Sequence, residues 1–151
     1  MRINVNNVKM NARSKVKPKV LVVAGKRKRA IAKATIKPGL GKITINKTPL
    51  ENLSDLRKLF ISEPLMIAQE LSPDLMKFDI SINVKGGGVE SQVEASRLAI
   101  SRALVNFTGN EELRGKFLAY DRSLLIADTR RKEPRKPGTS RARAKRQKSY
   151  R

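Results

Sequence analysis

Cysteine and histidine are both missing from this 151-residue sequence, and so is tryptophan. Without the first two there are no disulfides, no thiolate or imidazole metal sites, no Cys or Ser–His nucleophilic chemistry and no imidazole pH switch. Aromatic residues amount to 4%, so base stacking cannot be a main binding mode. No apolar run approaches the ~20 residues of a membrane span. The stretch from Met1 to Lys19 also lacks the apolar core of a signal peptide. A soluble, intracellular protein is expected.

Negative charge is scarce too. Only 13 Asp+Glu stand against 34 Lys+Arg, a formal net charge of +21, and the pI is near 11.1. An excess of this size self-repels and calls for a polyanion, either a nucleic acid or an anionic membrane. No acid precedes Glu51, acids slightly outnumber bases from Glu51 to Asp128, and Glu133 is the only acid after that. The charge runs from a basic, acid-free stretch up to Lys47, through a near-neutral stretch from Glu51 to Asp128, to a basic end, and the expected organisation is a basic arm (residues 1–18), a globular part (19–119) and a basic tail (120–151).

Within the globular part, VLVVA (Val20 to Ala24) is continuous and β-branched, the pattern of a strand covered on both faces. After GKRKR, the side chains of Ala30, Ala32, Ala34 and Ile36 share one face at period two, with Lys33, Thr35 and Lys37 on the other. PGLG (Pro38 to Gly41) signals a turn, and KITIN a third short strand, so three antiparallel strands joined by tight turns are expected. Ser54 suits a helix N-cap, Pro64 interrupts the pattern, and a second short helix is expected from Ser62–Glu63 to about Leu71. FDISINVK alternates cleanly as a strand. Gly86 to Gly88 then open a helix with Val89, Val93, Ile100, Leu104 and Phe107 at helical spacing. Ala95, Ala99 and Ala103 would let another backbone come close, Gly109 is a plausible stop, and a shorter helix covers about Glu111 to Leu118. The order implies an α+β sandwich, with helices on one face of a four-stranded sheet.

Three basic or glycine-rich segments carry chemistry. Lys26, Arg27, Lys28 and Arg29 form a run at the first hairpin beside an acid-free arm, which favours phosphate contact over a solvated turn. Gly86, Gly87 and Gly88 suit a tight strand-to-helix connection needing φ > 0 and equally a backbone contact to phosphate. Neither a P-loop nor a dinucleotide-binding glycine pattern is present. The tail holds Arg130, Arg131, Lys132, Arg135 and Lys136, then Arg141, Arg143, Lys145 and Arg146, and finally Lys148, Tyr150 and Arg151. Fully extended, its residues from Thr129 onward would span about 75 Å, enough to thread between RNA helices and order as phosphates neutralise it. No carboxylates form an acid/base pair; Asp128 and Glu133 read as ion-pair partners of neighbouring arginines.

These segments together resemble one family. Gly25-Lys26-Arg27-Lys28 before an Ala-rich strand, the Gly39-x-Gly41 turn, and Asn46 with Pro49 resemble the start of the universal small-subunit ribosomal protein nine. Asp128, Arg130 and Glu133, then Gly138-x-x-x-Ala142-Arg143 and Gln147-x-Ser149-x-Arg151, resemble its C-terminal signature. The Lys148-Ser149-Tyr150-Arg151 ending is similar to the archaeal and eukaryotic branch; the bacterial branch typically has a basic residue at the Tyr150 position.

The resemblance implies a structural, non-catalytic protein of the small ribosomal subunit with no cofactor. Its implied partners are the 3′ major domain of small-subunit rRNA in the subunit head, neighbouring head proteins, and the anticodon stem-loop of peptidyl-site tRNA. It also implies the fold of domain two of ribosomal protein five, with a left-handed βαβ crossover. Lys148, Tyr150 and Arg151 would then face tRNA, with Arg151 carrying the charge contribution, and the other basic residues and the three glycines named above would face rRNA. Two other classes are weaker. The implied fold also hosts small-molecule kinases, but GGGVESQV keeps only the glycines of their nucleotide cradle. A general DNA- or membrane-surface binder has no need of so ordered a tail signature, and no helix sets a strongly basic face against a large apolar one.

Overall fold

The computed structural model describes residues 20–71, 77–138 and 141–145. Five strands and three helices follow in the order β1 (Leu21–Arg27), β2 (Ala30–Pro38), β3 (Ile43–Ile45), β4 (Thr48–Pro49), α1 (Asp55–Leu71), β5 (Phe78–Lys85), α2 (Val89–Thr108) and α3 (Glu111–Tyr120). Short 3₁₀ turns at Leu50–Asn52 and Arg122–Leu124 lead into α1 and out of α3.

Alternation decides which side of the sheet is covered. Ala30, Ala32, Ala34 and Ile36 on β2, with Ile80, Ile82 and Val84 on β5, are all buried. The residues between them, Ile31, Lys33 and Lys37 on β2 and Ser81, Asn83 and Lys85 on β5, are exposed. The helices therefore lie on one face. Ile61 and Ala68 of α1, Leu113 and Phe117 of α3, and Leu124 join the same core. Phe78 and Phe107 meet edge to face with ring centroids 4.7 Å apart, closing the core where β5 begins and α2 ends. Gly109 ends α2 in the left-handed region at φ 66°, its N–H donating to the Val105 carbonyl.

Four expectations are corrected. The sheet has five strands rather than four, because Asn46 and Lys47, both at positive φ, turn the chain into the two-residue β4. The first three strands do not form an antiparallel meander. The strand order is β1-β2-β5-β3-β4, with β5 antiparallel to β2 and parallel to β3. β5 is the strand with the cleanest apolar alternation, and it takes a central place where that apolar face is fully covered. Asn46 helps hold it there, since its side chain accepts from the Val84 N–H at 2.8 Å and donates to the Val84 carbonyl at 3.3 Å.

The strand beginning at Val20 is not covered on both faces. β1 is an edge strand, and Val22 is 61% exposed. Finally, Pro64 does not divide two helices: α1 runs through it as one helix of 17 residues. A proline inside a helix leaves the carbonyl four residues back, here that of Phe60, without its usual amide partner. Burial of Pro64 between Ile61 and Ala68 on the core-facing side of α1 offsets that loss.

Candidate nucleic-acid interface

Two residues, Lys28 and Arg29, make the turn of the β1–β2 hairpin, between the paired Arg27 and Ala30. This turn sits against the glycine segment that joins β5 to α2. Gly86 and Gly87 have φ of 75° and 70°. A Cβ on Gly86 would lie 2.7 Å from the Arg29 carbonyl oxygen, and one on Gly87 would lie 2.9 Å from the Ala30 amide nitrogen. These two glycines thus serve the tight connection and its close approach to the hairpin. Gly88 differs: it has open space around it and caps α2 without a side chain to offer. The first amides of a helix have no partner within it, and no side chain caps them here. They and the helix dipole favour an anion.

The third wall comes from the start of the tail. Lys28, Arg29, Gly87, Gly88, Ser91, Arg130, Arg131 and Lys132 line one open cleft of about 710 Å³. Three sequence segments singled out for their charge or their glycines converge on it. Among the described residues, Lys28, Arg29, Arg131 and Lys132 have no ion-pair partner. Four cations of this kind around a helix N-terminus can attract an anion, and the open shape of the cleft suits a backbone phosphate more than an enclosed small molecule.

Arg27 points elsewhere. Its guanidinium bonds Glu94 of α2 through Nε and Asp128 through Nη1. Asp128 in turn accepts from the Arg130 backbone N–H at 2.8 Å, from Arg130 Nε at 2.9 Å and from Nη2 at 2.7 Å. Arg27 and Asp128 therefore buckle the tail to β1 and α2 and hold Arg130 at the cleft. Arg102 adds a second tether, donating to the carbonyls of Leu125 at 2.8 Å and Ala24 at 3.1 Å. The bonds from Arg130 and then from Arg27 hold the Asp128 carboxyl well below the usual carboxylate range, and Asp128 raises the affinity of Arg27 for its proton.

A carboxylate whose folded pKa is depressed contributes stability above its unfolded value, near 3.9, and loses it only as pH falls through the folded one. The buckle is accordingly expected to stay closed at pH 3. Carboxyl-carbon NMR should find Asp128 ionised there, and Asp128→Asn should speed tryptic cleavage after Arg130 and Arg131 at neutral pH. An unchanged cleavage rate would mean that the buckle does not restrain the tail.

The remaining tail residues are not brought to the cleft. Arg135, Lys136, Arg141, Arg143 and Lys145 lie farther along an exposed strap, where Arg143 pairs with Glu133 at 2.9 Å. Asp128 and Glu133 do bind arginines as expected. Lys26 lies on the opposite, open side of the sheet from Gly25 and Arg27, and Gly86 is spent on packing. Arg146, Lys148, Tyr150, Arg151 and the arm at residues 1–18 fall outside the described residues. Ser91, in the first turn of α2, was not singled out in the sequence; its only signal there is its position three residues after Gly88.

A family model described as ribosomal protein S9/S16 matches residues 25–151. The chain belongs to this family. The small ribosomal subunit protein uS9 of Methanococcus maripaludis strain C5 is 52% identical over 136 residues, covering 88% of this chain and 99% of that protein. The uS9 of Methanococcus vannielii is 48% identical over the same length, covering 88% and 99%. That of Desulfurococcus amylolyticus is 46% identical over 136 residues, covering 89% and 95%. Family membership makes the chain a ribosomal protein and not an enzyme. The matched span begins at Gly25, so it takes in the hairpin turn, the glycine segment and the tail that build the cleft.

Proposed function

We propose that this chain is a structural constituent of the small ribosomal subunit that grips rRNA of the subunit head through the cleft at the α2 N-terminus. The observation that carries this reading is the meeting of Lys28, Arg29, Arg131 and Lys132, without ion-pair partners among the described residues, around a helix start that no side chain caps. Phosphate contacts of this kind fix position and orientation, and RNA shape then supplies the choice of site. In this reading the 3′ major domain of the rRNA and neighbouring head proteins surround the globular part. Lys26, Arg27, Gly86, Arg130, Arg135, Lys136, Arg141, Arg143, Lys145 and Arg146 belong to the same RNA-facing set. Within it, Arg27 and Gly86 act by shaping the cleft, and the tail residues act along their path through RNA. The parallel neighbours β3 and β5, joined through α1, suit the crossover fold of domain two of ribosomal protein five, with its left-handed βαβ unit.

The end of the tail has a separate role. Lys148, Tyr150 and Arg151 contact the anticodon stem-loop of peptidyl-site tRNA, with Arg151 supplying charge and Tyr150 a hydrogen bond or a stacked ring. Deleting Lys148 to Arg151 should leave incorporation into subunits intact while weakening retention of peptidyl-site tRNA, as measured by tRNA filter binding to purified subunits. Loss of incorporation would make the tail end a scaffold and remove its tRNA role. Unchanged retention would also count against that role.

A further inference from the structure

Among the described residues no helix covers the face of the sheet away from α1, α2 and α3, and the chemistry of that face is one-sided. Across β1, β2 and β5, Lys26 pairs with Ile31, which pairs with Lys85. The next row is Ala24, Lys33 and Asn83, then Val22, Thr35 and Ser81, then Lys37 opposite Asp79. Neighbouring strands are about 4.8 Å apart, so Lys26 and Lys85 stand roughly 10 Å apart with Ile31 between them. Lys33 lies diagonally from both, at about 7–8 Å. Lys37 continues the line about 13 Å along β2.

The one carboxylate in these rows, Asp79, is engaged. It accepts from the backbone N–H groups of Leu40 and Lys42 at 2.9 and 3.0 Å, with its pKa lowered by those bonds. Lys26, Lys33 and Lys85 have no ion-pair partner among the described residues. Both cross-strand neighbours of Ile31 are lysines, and the other exposed apolar side chains of this face, Val22 and Ala24, lie along the edge strand β1. Lys85 runs directly into Gly86, and Lys26 precedes the Lys28–Arg29 turn, so this face adjoins the rim of the cleft.

We infer that the open sheet face is a second RNA-contacting surface, where Lys26, Lys33, Lys37 and Lys85 neutralise phosphates of a backbone that continues into the cleft. The inference rests on the reading of the cleft as an rRNA site and extends it to Lys33, Lys37 and Lys85. Lysines are point charges on long stems that tolerate varied phosphate positions, which fits a surface with no aromatic ring in these rows.

The test is equilibrium binding of the full chain to a transcript of the 3′ third of its own organism's small-subunit rRNA, over a range of KCl concentrations. Each phosphate contact contributes about 0.7 to 0.9 to the slope of log K against log salt. The variant K33Q/K37Q/K85Q should keep its thermal melt and lose roughly 2 to 3 from that slope. If it matches wild type while R29Q/R131Q/K132Q loses slope, the inference is overturned and the cleft reading stands. If both variants match wild type, the cleft reading itself fails. Amine-reactive footprinting assigns the partner. Protection of Lys33, Lys37 and Lys85 by the naked transcript supports the inference, and protection only in whole subunits gives this face to a protein neighbour and overturns it.

Discussion

Gly25→Ala is expected to destabilise the chain by about 3 kcal/mol, the upper end of what overpacking costs. Urea unfolding would register this as a lower midpoint at unchanged slope. Gly25 lies on β1 facing α2, and a Cβ there would sit 2.3 Å from the Ala95 carbonyl oxygen and 2.8 Å from the Ala99 amide nitrogen. Both are backbone atoms, so no side chain can rotate away. α2 would have to lift off the sheet and draw Ala95, Ala99 and Ala103, all fully buried, out of contact. Glu94, the α2 partner of Arg27, would move with it. Gly115→Ala is the control. Its Cβ meets nothing within 4 Å on α3, and it should gain up to about 1 kcal/mol. Equal effects at the two positions would remove close packing of α2 as the explanation.

The second large effect concerns RNA. Neutralising three of the unpaired cleft cations in R29Q/R131Q/K132Q should weaken rRNA binding roughly 100-fold at 0.15 M salt, the factor that loss of three phosphate contacts implies. The loss should shrink steadily as salt is raised. The fold should be untouched, because none of the three side chains has an ion-pair partner among the described residues. A loss that did not vary with salt would point to a shape defect rather than to missing phosphate contacts.

Much of this was legible from local pattern. Period-two alternation marked Ala30 to Ile36 and Phe78 to Val84 as the inward sides of their strands, and both segments lie in the core. The alanines of α2 and the Gly109 stop behave as their spacing suggests, because helix faces and caps depend on neighbours only a few residues away. What local pattern does not carry is long-range pairing. Nothing near KITIN says that a strand some 40 residues later will insert between it and β2. Nothing in VLVVA distinguishes a doubly covered strand from an edge strand with aliphatic side chains in solvent. At Pro64 the local rule that proline ends a helix is overridden by burial of the ring.

The site divides in the same way. Charge and glycine flagged the hairpin turn, the Gly86–Gly88 segment and residues 130–132, and these meet in one cleft. The inward turn of Arg27 needed Asp128, a partner 101 residues away, and four consecutive basic residues look alike until the fold separates them. The lysines at 33, 37 and 85 were scattered single charges in the sequence. They became a surface only once the register β1-β2-β5 placed them side by side.

The central claim is that the cleft holds small-subunit rRNA, and in-cell ultraviolet crosslinking tests it most directly, with the RNA sequenced and the adducts located on the protein. The crosslinked RNA should be concentrated in the 3′ region of small-subunit rRNA, with adducts on the peptides bearing Lys28–Arg29 and Arg130–Lys132. RNA scattered over many transcripts, or adducts that avoid those peptides, would contradict it.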